Sequence, residues 1–177
     1  MRAFSPNWLH LPIYLFPLKV LALCDELSSL LPEKVLFPGA ADYNTSVSSY
    51  FFLGQRQSPA RIVAPGTAED VAEIIKDVGS QAPYQVALRS GGHSPNTGFS
   101  NTDHGVTIDL RGLNKITSQG GTSDVVSVGT SATWIDVYRP LEDLNRTAVG
   151  ARVASVGVGG FITGGELVTL KSSSFFS

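Results

Sequence analysis

Leu88-Arg89-Ser90-Gly91-Gly92-His93-Ser94, "LRSGGHS", is the stretch that decides the fold of this chain. The apolar run leading into it, "YQVALRS" from Tyr84 to Ser90, reads as a strand, so the paired glycines mark the strand's exit. Glycine lets a backbone come close to a ligand and turn its N–H groups inward, which suits a phosphate or a ring carbonyl. His93 then presents a ring nitrogen at the rim of that turn, and Pro95 stiffens the way out. Taken alone, a Gly-Gly-His triplet is also a polar turn with a surface histidine.

Working outward, "ARIVAP" (Ala60–Pro65) reads as a short strand and Thr67–Val78 as a helix closed by Gly79. Thr67 and Asp70 stand at capping-box spacing, and Val71, Ile74, Ile75 and Val78 share one face. A strand–helix–strand unit is thus complete just before the glycine-histidine loop. Upstream, Asp25–Leu31 reads as a short helix ended by Pro32, and residues 37–53 as an extended lead-in. Downstream, "GVTIDLRGL" (Gly105–Leu113) is a strand and turn, and "DVVSVGT" (Asp124–Thr130) another strand. Thr133 caps a second helix with Asp136 three residues on, and Trp134, Val137 and Leu141 form its buried stripe. Pro140 should kink or shorten that helix. The pattern is an α+β domain of short strands and two amphipathic helices.

The bulk numbers narrow the function. A chain of 177 residues makes one ordinary domain, and 42% hydrophobic residues make it a folded one. Thirteen basic against fifteen acidic side chains give a net charge of −2, with no basic patch or tail. That argues against nucleic acid or an anionic membrane as partner. Cys24 is the single cysteine, which excludes an intrachain disulfide and a thiolate metal site. His10, His93 and His104 show no metal-ligand spacing. Residues 1–23 read as a degenerate signal peptide interrupted by Pro12, Pro17 and Lys19, which points to secretion; a cytoplasmic leader is the alternative. The sequons at Asn44 and Asn145 fit secretion.

A second glycine-rich run, "SVGVGGFITGG" (Ser155–Gly165), is not a dinucleotide fingerprint, because Ile162 stands where the third glycine belongs. It lacks the Gly-Lys-Ser/Thr of a phosphate-binding Walker loop, and no Gly-x-Ser-x-Gly nucleophile elbow occurs in the chain. Its glycines either let strands pack closely or form a second wall of a ligand cleft.

In order, "RSGGHS", "GVTIDLRGLNKI", "VVSVGTSATWIDVY" and "GARVASVGVGGFITGG" resemble the fungal berberine-bridge-enzyme-like, FAD-linked oxidoreductases with a PCMH-type FAD-binding domain. The likeness runs from about Asp25 to Gly165. It implies the N-terminal part of a PCMH-type (vanillyl-alcohol-oxidase-like) FAD-binding domain, two-lobed and α+β. In that division, residues 1–23 are the leader, 24–56 the lead-in, and 57–177 the FAD-binding domain, incomplete at its C-terminus. It also implies that His93 is the 8α-histidyl attachment point for FAD. Arg89, Ser90, Gly91, Gly92 and Ser94 would contact the pyrophosphate or ribityl chain. Gly157, Gly159 and Gly160 would lie along the flavin, and Thr130 would belong to the loop before the second helix. The implied activity is oxidation of an alcohol, sugar or secondary metabolite by hydride transfer to FAD, with O₂ or a carrier taking the electrons. The partner is then a small-molecule substrate.

The chain departs from the family pattern in two places. Family members often pair a cysteine before the histidine-loop strand with one near Cys24, but "APYQVAL" has none, so Cys24 is expected to be unpaired. Gly164-Gly165 run on into "ELVTLKSSSFFS", which reads as a short insertion with premature termination, from an unspliced intron or a truncated gene model. A catalytic base would then lie beyond Ser177; His104 and the tyrosines read as structural or exposed, and no residue here is assigned that role. Uncovered strand edges would make such a chain poorly soluble. The alternative function is a non-catalytic remnant that binds no flavin.

Overall fold

The computed structural model describes residues 26–80, 85–118 and 125–165. The leader 1–23, Cys24, and the ending from Glu166 to Ser177 lie outside the described residues.

A four-stranded sheet carries the first lobe, in the order β1-β2-β4-β3. β1 (Val35–Leu36) runs antiparallel to β2 (Arg61–Val63). β4 (Val106–Asp109) lies between β2 and β3 (Val86–Arg89), parallel to both. All residues of β4 are buried, as a strand with neighbours on either side and helices above it must be. The register sets Leu88 against Ile108 and Arg89 against Asp109, so a cation and a carboxylate meet at the carboxyl ends of adjacent parallel strands. The glycine-histidine loop leaves β3 at that same end, where open parallel sheets hold their ligands.

Helix α1 (described residues 26–30) and helix α3 (Ala68–Ser80) complete the lobe. The capping box forms as its spacing predicts: Thr67 N donates to Asp70 Oδ2 (3.0 Å), and Asp70 N to Thr67 Oγ1 (3.1 Å). Ile74 and Val78 bury against Val63, Val106 and Ile108, together with Leu27, Leu31 and Val35. Ile75, expected on the buried face, is 50% exposed. The sheet covers a narrower stripe than the apolar periodicity of α3 offers. Gly79 is inside the helix instead of closing it.

The lead-in differs most from expectation. Residues 41–48 form helix α2 (Ala41–Ser48), followed by a 3-10 turn at Leu53–Gln55. "ADYNTSVS" has no apolar stripe, and tertiary contacts hold it in place: Tyr43 Oη donates to Pro59 O (2.8 Å), and Ser46 Oγ to Asp109 Oδ2 (2.8 Å). With β1 in the sheet and Leu27, Leu31 and Val35 in the core, the lead-in is built into the same lobe as the residues after position 57.

The second lobe pairs β5 (Ile116–Ser118), unanticipated from the sequence, antiparallel with β6 (Val126–Val128). Helix α4 (Trp134–Glu142) packs on this ribbon through Trp134, Val137 and Leu141, the stripe expected of it. It ends two residues after Pro140, whose missing N–H removes an intrahelical bond. Gly150 leaves room for the Trp134 indole, since a Cβ there would overlap the ring. The second glycine-rich run contains a short helix, α5 (Val158–Thr163), and its start lies beside the chain entering α4: Trp134 N donates to Val156 O (3.0 Å) and Val158 N to Ala132 O (2.8 Å).

Candidate functional site

The two glycine segments meet. A Cβ built on Gly91 would stand 2.7 Å from Gly157 N and 2.8 Å from Gly157 Cα, so nothing larger than hydrogen fits between these backbones. Gly159 closes the same seam against Thr130, to whose carbonyl its N–H donates (3.0 Å) and whose atoms a Cβ would overlap. Ser90 Oγ donates to that Thr130 carbonyl (2.8 Å), so three separate stretches of chain are laced at one point.

Above this seam lies a cleft of about 680 Å³, within the size range of small-molecule and cofactor sites. Ser90, Gly91, Gly92, His93 and Ser94 form one wall; Gly157 and Gly160 belong to the other, with Phe99 and Phe161 as apolar lining. Thr130 and Gly159 form the seam behind the lining. Gly160 has open space where its Cβ would be. A second cavity, about 710 Å³, lies between β6 and α4; its lining is apolar apart from Arg146 and Thr147, and it contains nothing from the histidine loop.

Arg89 is elsewhere. Its side chain is 2% exposed and points away from the cleft, under the loop. There Nη1 donates to Ser46 O (2.8 Å), Nη2 to Ser49 Oγ (2.9 Å), and the guanidinium sits 3.6 Å from the centre of the Tyr50 ring. The Arg89 side chain therefore supports the loop from beneath and does not line the cleft. Asp109 balances the charge, 4.0 Å from Arg89 Nη1 and 2.6 Å from Arg111 Nη2. Burial alone would raise the Asp109 carboxyl, but hydrogen bonds from Arg111 and Ser46 and the two guanidiniums hold it below the usual carboxylate range. Burial is also what pushes the Tyr50 phenol up to about 12, against the opposing pull of Arg89. Gly92, at φ +69°, lies on the Tyr50 ring, so the left-handed turn that aims His93 is seated directly on this buried group.

His93 itself is exposed, with its ring tilted by 30° against Phe51 at 5.3 Å between centroids. Sequence reasoning passed over Tyr50, Phe51 and Gln55, because they fall in a stretch with no periodic pattern. Gln55 is fully buried, and its Nε2 donates to the Ser94 (3.2 Å) and Asn96 carbonyls. The Ser100 hydroxyl, in a residue bordering the cleft, is buried with no hydrogen-bond partner among the described residues. His104 is a surface residue, with 82% of its side chain exposed.

A family model described as an FAD binding domain matches residues 59–171. The chain belongs to the FAD-binding-domain family of flavin oxidoreductases. Among curated relatives, this FAD-binding domain is 39% identical over 144 residues to the FAD-dependent monooxygenase sdcF of Emericella nidulans, covering 81% of this chain and 30% of the relative. Its fold is that of solved berberine-bridge-enzyme-like structures. A variant of BBE-like 1 from Physcomitrella patens superposes with a TM-score of 0.65 at 21% identity, over 77% of this chain and 29% of the other. Glucooligosaccharide oxidase from Acremonium strictum, whose flavin is described as 6-S-cysteinyl, 8α-N1-histidyl FAD, gives 0.65 at 22% identity, over 77% and 28%. The domain thus spans about 30% of the length of sdcF.

FAD is the group this family implies, and the residues present fit it. The glycine seam brings the two walls together. The cleft above it is about 680 Å³, with open space at Gly160 and the backbone of Gly91, Gly92 and Gly157 on its lining. It has the size and the small-residue walls that such a cofactor needs.

Proposed function

We propose that this domain holds FAD covalently through His93, as part of an oxidoreductase that oxidises an alcohol, sugar or secondary metabolite. The observation that carries the reading is the cleft itself: an exposed histidine on one wall, and two glycine backbones in contact at its base. The histidyl-linked flavin named for the glucooligosaccharide oxidase supports it, as does the FAD dependence named for sdcF. When bound, FAD supplies the hydride acceptor. The chain's own contribution is to bind and to orient. Ser90, Gly91, Gly92 and Ser94 would hold the pyrophosphate or ribityl chain, and Gly157 and Gly160 would border the flavin, with Gly159 and Thr130 locking the wall behind them.

The reading includes a small-molecule substrate, O₂ as electron acceptor, and secretion directed by residues 1–23. A net charge of −2 without a basic patch leaves nucleic acid and anionic membranes unattractive as partners. The test is acid precipitation of the purified chain loaded with FAD, with His93→Ala in parallel. Yellow colour and flavin fluorescence that stay in the pellet for the parent and leave it for the variant support the reading. Flavin released equally from both overturns the covalent link.

A further inference from the structure

We infer that Phe51 is a positioning residue for His93, holding the imidazole in place for attachment to the flavin. The inference rests on the covalent reading above and adds to it a residue that no sequence motif marks.

Residues 50–57 follow the loop 92–101 almost residue by residue. The Tyr50 ring supports Gly92, and the Phe51 ring contacts the His93 ring in a tilted pair with 30° between planes. Gln55 Nε2 holds the Ser94 and Asn96 carbonyls. A Cβ on Gly54 would stand 3.1 Å from Thr97 Oγ1, and Gln57 Oε1 accepts from Gly98 N (3.1 Å). Asn101 Nδ2 returns the contact by donating to Gln55 O (2.7 Å) and Gln57 O (3.2 Å). The strip is itself anchored, because Arg56 donates from Nε (3.0 Å) and Nη2 (2.8 Å) to Tyr50 O.

Most of these contacts fix the backbone of the loop. The tilted ring contact with Phe51 acts on the imidazole itself. An exposed side chain with free χ angles samples several rotamers, and a ring nitrogen must sit within near-attack distance of its target carbon to react. Phe51 is 62% exposed, so core packing does not account for its place. Its ring lies against the imidazole at a tilt, 5.3 Å between centroids, and so limits the rotamers that the exposed His93 side chain can sample.

In the attachment step a bond forms between a His93 ring nitrogen and the 8α-carbon. One C–H bond of the 8α-methyl and the imidazole N–H bond break. The two electrons and two protons released are taken up by the isoalloxazine ring and passed to O₂. Phe51 takes no part in that exchange; it raises the fraction of time the nitrogen is in place.

The test follows acid-stable flavin against time in parent, Phe51→Ala, Phe51→Leu and Phe51→Tyr chains given FAD, with reversible FAD affinity measured separately by fluorescence. An aromatic pair of this kind corresponds to about a two- to tenfold effect. The expected result is covalent incorporation slowed by that factor in the Ala and Leu variants, restored in the Tyr variant, with reversible affinity little changed. Incorporation at the parental rate in both Phe51→Ala and Phe51→Leu overturns the inference. So does a loss of reversible affinity that fully accounts for the slower incorporation, since Phe51 would then be part of the binding surface. If the parent forms no acid-stable flavin, the covalent reading fails and this inference fails with it.

Discussion

Replacing Gly157 by alanine puts one methyl group where the two glycine walls touch. The new carbon would lie 2.5 Å from Gly91 N, 2.8 Å from Gly91 Cα and 2.9 Å from Ser90 Oγ. Ordinary contacts between such atoms are about 3.5–4.0 Å, so the segments must separate by roughly 1 Å. No rotamer change relieves the clash with Gly91, because both of its atoms are backbone. Gly157 sits at φ −74° and ψ 135°, which alanine adopts freely, so the cost is steric alone. Overpacking of this kind costs about 1–3 kcal/mol, and backbone against backbone belongs at the upper end. The stiffer unfolded chain offsets about 0.4–1 kcal/mol, leaving a net loss near 2 kcal/mol. For a chain of this size that lowers Tm by about 4–8 °C. Any part of that strain which the free chain sheds by opening the seam must be restored on closing around FAD, so it appears as lost affinity, at most about 30-fold, in place of lowered Tm. Thermal unfolding followed by circular dichroism and FAD titration followed by fluorescence read the two effects. Gly160→Ala is the control: its Cβ meets nothing within 4 Å, and it sits inside α5, so Tm should hold or rise. A Gly157→Ala chain that melts with the parent and binds FAD as tightly would refute the contact between the walls.

Asp109→Asn removes the carboxylate facing Arg89 and Arg111 and should cost about 3–5 kcal/mol, read by denaturant unfolding. Because the Asp109 carboxyl titrates lower when folded, its contribution is full above about pH 4 and is lost as pH falls through that lower value. The parent's acid melting curve should therefore be steeper than the variant's. Tyr50 titrates near 12 when folded, above the ~10 of an unfolded tyrosine, so its contribution is full below pH 10 and disappears as pH rises through about 12. Tyr50→Phe should flatten alkaline melting and remove the latest phenolate absorbance step; an unchanged alkaline curve counts against the buried phenol. Thr133→Ala deletes the hydroxyl that donates to Asp136 and should cost about 1 kcal/mol. It should also let Asp136, now held low chiefly by that hydroxyl, titrate closer to an ordinary aspartate in carboxyl NMR.

What the sequence determined by itself is what short-range chemistry controls. The caps and stripes of α3 and α4 are set by residues three or four apart, and the helices form where Thr67, Asp70, Thr133 and Asp136 mark them. The glycine-histidine loop, its place after a strand, and the likeness to FAD-binding domains are likewise legible along the chain. The fate of Arg89 is not. Its neighbour in the sequence is the cleft loop, but the register of β3 on β4 sets it beside Asp109, and α2 supplies the carbonyl and hydroxyl that bury it. Helix α2 was invisible for the same reason, since the groups that stabilise it come from Pro59, Asp109 and Arg111 and not from its own pattern. Only the tertiary structure chose which glycine of the second run faces Gly91, and only it placed residues 50–57 along the histidine loop. Helix and strand signals reside in neighbouring residues; a cleft is made by backbones that meet from far apart in the chain, and no local spacing encodes that meeting.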